Sequence, residues 1–106
     1  MRELIHTEER DGFYIRFYAM PEHTAPDDCF DDDGQTARDI AAGVYEWFTA
    51  CVTASKAGVE LGKDYLGCCC YERAADFVEE LYYEDMALAA MNEARETIAL
   101  LCREAA

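Results

Sequence analysis

A chain of 106 residues, 52% apolar, with 23 acidic against 9 lysine and arginine residues and a formal charge of −14, has the size of one domain and enough apolar side chains for a core. The charge disfavours direct contact with nucleic acid or an anionic membrane, since both call for a basic face. The charged start MRELIHTEER lacks the apolar centre of a signal peptide, and no apolar run approaches the ~20 residues of a bilayer span. The expectation is a single cytoplasmic domain, residues 1–106, with its six cysteines reduced.

In chain order, Glu3–Glu8 and Phe13–Met20 read as a hairpin around Asp11-Gly12, a pair suited to the positive φ of tight turns. Alternation puts Phe13, Ile15 and Phe17 toward the core and Tyr14, Arg16 and Tyr18 outward. Pro21–Gln35 reads as a loop with a helical turn near Asp27–Phe30, followed by a short helix over Thr36–Ala42 that Gly43 stops. Val44–Ser55 predicts a third strand with Phe48, Ala50, Val52 and Ala54 on one side. Ala57-Gly58 then turns the chain into a short fourth strand, Val59–Leu61. From Glu72 the period becomes helical, with Phe77, Leu81, Leu88, Met91, Ile98 and Cys102 near one stripe and a break near Tyr82–Tyr83. This order predicts an α+β fold, with an antiparallel sheet of about four strands packed on a C-terminal helix or helix pair.

The segment PDDCFDDDG, residues 26–34, holds five aspartates in nine positions. It is no EF-hand: with Gly34 sixth, Cys29 falls first and Ile40 twelfth, where carboxylates are needed. In LGCCCYE, residues 67–72, the thiols are consecutive, whereas structural zinc sites space their pairs and redox sites use Cys-x-x-Cys. Small core residues are the simpler reading of Cys68–Cys70. Two histidines near the N-terminus accompany no nucleophile motif, and no glycine-rich phosphate loop is present, so neither enzyme activity, a metal nor a cofactor is expected.

Charge distribution carries the functional reading. Asp27, Asp28, Asp31, Asp32 and Asp33 form one acidic group; Asp76, Glu79, Glu80, Glu84 and Asp85 form a second, with Tyr82 and Tyr83 as candidate contact residues. On a continuous helix Asp76, Glu80 and Glu84 would make a row with neighbours about 6 Å apart. Such a row could occupy a lysine- and arginine-lined groove in place of phosphates. The bland alternative is a solvated charged surface.

The stretch WFTACVTASKAGVELGKDYLGCCCYERAADFVEELYYEDMALAAMNEAR, residues 47–95, resembles small acidic proteins borne by prophages and plasmids, of the anti-CRISPR type. That resemblance implies an inhibitor from a mobile element acting in the cytoplasm of a bacterial host. As a DNA mimic or a blocker, it would bind a basic nucleic-acid-binding surface on a protein or protein–RNA complex such as a CRISPR effector. Two alternatives stand beside it. One is a structural or assembly protein that oligomerises, for instance as a homodimer, through tyrosines and Trp47. The other is a thiol or metal-binding protein using Cys68–Cys70.

Overall fold

The computed structural model describes residues 1–105, with side chains through Arg103. Four antiparallel strands lie in sequence order: β1 (Glu3–Arg10), β2 (Phe13–Met20), β3 (Glu46–Lys56) and β4 (Val59–Tyr71). Two short helices, α1 (Pro26–Cys29) and α2 (Gln35–Ala41), interrupt the passage from β2 to β3. A 3-10 helix (Ala74–Glu79) and a long α3 (Leu81–Ala105) follow β4. The α+β architecture expected from the sequence is the one observed. Among the described residues no helix is long and apolar enough to cross a membrane.

Both hairpins close through two residues of positive φ, Asp11-Gly12 (53° and 84°) and Ala57-Gly58 (52° and 79°), the geometry that matches strand twist. The core face carries Phe13, Ile15 and Phe17 from β2 and Phe48, Ala50, Val52 and Ala54 from β3, as alternation predicts. Phe77 of the 3-10 helix inserts among them, its ring 5.1 Å from Phe17 and 5.5 Å from Tyr71. Burying one such ring stabilises the fold by about 1.5–3 kcal/mol. Helix α3 closes the layer with Tyr83, Met86, Ala87, Ala90, Met91 and Ala94. Its approach is close because Gly62 of β4 has no side chain: a Cβ there would lie 2.0 Å from the Ala90 carbonyl oxygen and 2.7 Å from the Ala94 nitrogen.

Four expectations are corrected. The fourth strand is thirteen residues long rather than the three of Val59–Leu61. A bulge conceals the rest: register slips between Phe48 and Ala50, Cys68 takes φ 58°, and the core-facing alternation of Leu66 resumes at Cys69 and Tyr71. The helical break falls at Glu80, which has extended dihedrals, rather than at Tyr82–Tyr83. The buried stripe of α3 is built on alanines and Tyr83, so Leu81, Leu88 and Cys102 are exposed. Finally, the cysteines are not all reduced: Cys29 and Cys68 form a disulfide, while Cys51, Cys69, Cys70 and Cys102 are free.

Candidate functional site

The antiparallel register brings one set of termini together. Glu46 at the start of β3 pairs with Tyr71 at the end of β4, and Met20 at the end of β2 pairs with Thr49. Residues 21–46 and 72–80 therefore leave the sheet at the same end. These two segments hold twelve of the 23 acids against Arg38 and Arg73 alone, a net −10; the other eleven acids face seven lysines and arginines, a net −4. The first acidic group and three members of the second, Asp76, Glu79 and Glu80, thus meet across one end of the molecule, while Glu84 and Asp85 lie on α3.

Several bonds fix the first group there. The disulfide ties α1 to the β4 bulge. The Glu22 carboxylate accepts hydrogen bonds from the Cys68 amide at 2.5 Å, the Thr49 hydroxyl at 3.1 Å and the Thr24 amide at 3.2 Å. The Cys68 amide in particular holds the Glu22 carboxyl below its usual pKa. Trp47 donates to the Thr24 carbonyl at 3.1 Å and packs on Phe30, ring centroids 5.8 Å apart. Within the segment, the Thr36 hydroxyl and amide both bond to Asp32, and the hydroxyl, the larger influence, lowers the carboxyl pKa. Asp33 and Gly34 have φ of 56° and 79°, turning the chain into α2, where Arg38 reaches back to the Asp33 carbonyl. Asp27, Asp28, Asp31, Asp32 and Asp33 are all exposed.

The second group does not form the expected row. Asp76 lies on the 3-10 helix, Glu80 in the break and Glu84 in α3, so no single helix spaces the three. Glu84 is also neutralised, both oxygens accepting from Arg10 at 2.9 Å, and Asp76 sits 3.7 Å from Arg73. Glu79, Glu80 and Asp85 remain exposed and unbridged. Tyr82 is 60% exposed, as a contact residue requires. Tyr83 is a core residue instead: it is 2% exposed, and its hydroxyl donates to Glu8 at 2.8 Å. Burial, then that hydrogen bond, raise its pKa.

Between the two groups runs an open groove of about 500 Å³, floored by β4 from Leu66 to Tyr71 and walled by Phe30, Tyr45 and Tyr82. Carboxylates rim it. Asp32 is bonded to Thr36 on the groove wall, Asp39 acts on Cys70, and Glu80 acts on Tyr71. Aromatic walls under a carboxylate rim suit a cationic side chain far better than an anion. The thiols in the floor are poor nucleophiles: burial pushes Cys69 up to about 11 and raises Cys70, with Asp39 adding to the latter. Among the described residues no three His, Cys, Asp or Glu side chains are arranged to hold a metal ion.

Sequence reading missed Glu22, Glu46, Phe30, Tyr45 and the disulfide as parts of this end. They act across long stretches of chain, 17 residues from Phe30 to Trp47 and 28 where Glu46 accepts from the Ala74 amide at 2.6 Å, and no local spacing signals such contacts. No protein-family model matches the chain, and neither curated proteins nor solved structures give a significant match.

Proposed function

We propose that the protein is a non-catalytic inhibitor whose acidic end docks on a basic, nucleic-acid-binding surface of a larger assembly. One observation carries this reading: ten of the fourteen net negative charges sit at one end of the sheet, seven of them on a segment tied down by a disulfide and the Glu22 bonds. A flexible acidic tail would lose conformational entropy on binding, whereas a tethered one has already lost it. Competition with a polynucleotide then rests on charge density, since the side chains show no phosphate-like regular row. Following the resemblance suggested by residues 47–95, the target we propose is a protein–RNA defence complex of a bacterial host, such as a CRISPR effector.

The test starts from capture of bacterial proteins on the immobilised chain at low and high salt. The identified target is then assayed for nucleic-acid binding with and without the protein. A variant with Asp27, Asp28, Asp31 and Asp33 changed to asparagine leaves Asp32 to hold Thr36. It is expected to bind about tenfold or more weakly, with a shallower salt dependence. A salt-insensitive complex, or unchanged affinity in that variant, would end the proposal.

A further inference from the structure

Helix α3 and the 3-10 helix both pack on the Phe17–Phe48 face of the sheet. On the opposite face the β2–β3 loop reaches Trp47, through Thr24 and Phe30, and Thr49, through Glu22. Register gives the remainder of that face three cross-strand rows. The first runs Glu9, Tyr14, Ser55, Glu60; the second Thr7, Arg16, Thr53, Lys63; the third Leu4, Tyr18, Cys51, Tyr65. Strand β3 supplies only small side chains, Cys51, Thr53 and Ser55, and these are buried beneath their larger neighbours. Those neighbours pair aromatics with cations. Arg2 lies 4.0 Å above the Tyr18 ring, Arg16 lies 5.8 Å from Tyr14, and Lys63 lies 6.0 Å from Tyr65. Tyr14, Tyr65 and Leu4 are each about half exposed, at 46%, 50% and 52%.

We infer that this bare sheet face is a self-association surface on which a second copy of the chain stacks its own equivalent face. Two observations favour that occupant. Arg2, Arg16 and Lys63 against Glu9 and Glu60 make the face about neutral, +1, on a molecule of −14, so two copies can meet here without the repulsion that two acidic ends would generate. A two-fold contact needs one patch to complement itself, and this patch carries tyrosine rings, the cations Arg16 and Lys63, and Glu9 to meet them, Glu60 being bonded to Arg2 of its own chain at 2.7 Å. The bare rows, four strands about 4.8 Å apart and five or six residues long, outline on the order of 350 Å² before side-chain relief and rim contacts are added. Stable interfaces take roughly 600–1,000 Å² from each partner. A polynucleotide is the weaker occupant, because one net positive charge offers little against the field of the whole chain. Repulsion between the acidic ends sets the arrangement, with those ends at opposite poles of the pair and both left free for a target.

Sedimentation of the full chain at physiological salt, from about 5 to about 200 µM, provides the test. The expected result is a concentration-dependent doubling of mass. Tyr65→Glu and Arg16→Glu should each weaken it about tenfold or more while retaining the far-ultraviolet circular dichroism of the parent. Leu101→Glu, at the exposed apolar tip of α3, should leave it unchanged. Footprinting of tyrosines in the unaltered chain over the same range guards against misfolded variants: Tyr14 and Tyr65 should become protected as mass doubles. A monomer throughout would overturn the inference. So would a dimer that survives in the folded variants, dissociates on Leu101→Glu, or forms with Tyr14 and Tyr65 still reactive.

Discussion

The two ends of the sheet are built by opposite means. At the end bearing Asp11-Gly12 and Ala57-Gly58, the chain reverses in two residues each time, and α3 lies against β4 through Gly62, Ala90 and Ala94. Charges there find partners close by, as in Arg10 with Glu8 and Glu84, or Arg95 with Asp11 at 3.6 Å. At the other end residues 21–45 bury no side chain fully. They carry repelling carboxylates and are held by a disulfide, the Glu22 bonds and the Trp47–Phe30 contact. Local turn chemistry and packing suffice where charge is sparse and largely paired; a concentrated charge needs ties across the chain.

That contrast can be broken most forcefully at the packed end. Gly62→Ala drives a methyl group into α3 backbone, which cannot move aside as a side-chain tip could. Chemical denaturation should show a loss of about 3 kcal/mol or more. Next, Cys29→Ser removes a link between positions 39 residues apart. The loss should fall at about 2–3 kcal/mol, below the loop-closure entropy of the unfolded chain, which sets the upper bound. Hydrogen exchange should quicken first over residues 21–45 and leave the β1–β2 hairpin protected.

Acid comes third. The Glu22 carboxyl is held below its ordinary value mainly by the Cys68 amide. For Glu8, burial pushes upward, but hydrogen bonds from Tyr83, His6 and Arg10 outweigh it, and its pKa is also lowered. A depressed carboxyl pKa contributes stability that is complete above the unfolded value, about 4.3, and is lost as pH falls through the folded one. Melting temperature should therefore drop below about pH 4, and Glu22→Gln should remove the part of that drop belonging to the acidic end. Smallest is Ala57→Gly: with φ at 52°, alanine is strained where glycine is not, so the variant should gain about 0.5–1 kcal/mol by thermal or chemical denaturation.

What could be read from the sequence follows the same division. Asp11-Gly12, Ala57-Gly58 and the alternations through Phe17 and Val52 are local signals, and the turns and core faces of β2 and β3 stand where they predict. The length of β4 was hidden because the bulge at Cys68 inverts the alternation midway. On α3 the large apolar residues mislead. Ala90 and Ala94 allow the close approach to Gly62, while Leu88 and Leu101 point outward. Both acidic groups were visible as composition, but their meeting at one end depends on strand register, and the pairing of Cys29 with Cys68 depends on the third dimension. In the sequence Tyr83 reads equally as a contact residue or as one packed on the sheet, because the partner that decides it, Glu8, lies 75 positions away.

The molecule measures 58 × 24 × 23 Å along its principal axes, and its surplus negative charge is gathered toward one end of the sheet. Such a body has a strong electric dipole. In the field of a cationic surface it experiences a torque as well as a pull, so it swings its charged tip forward before touching. Screening confines this to roughly the last 8 Å of approach at physiological ionic strength. Within that distance, encounters arrive already aligned, and fewer collisions are spent on the wrong side of the rod.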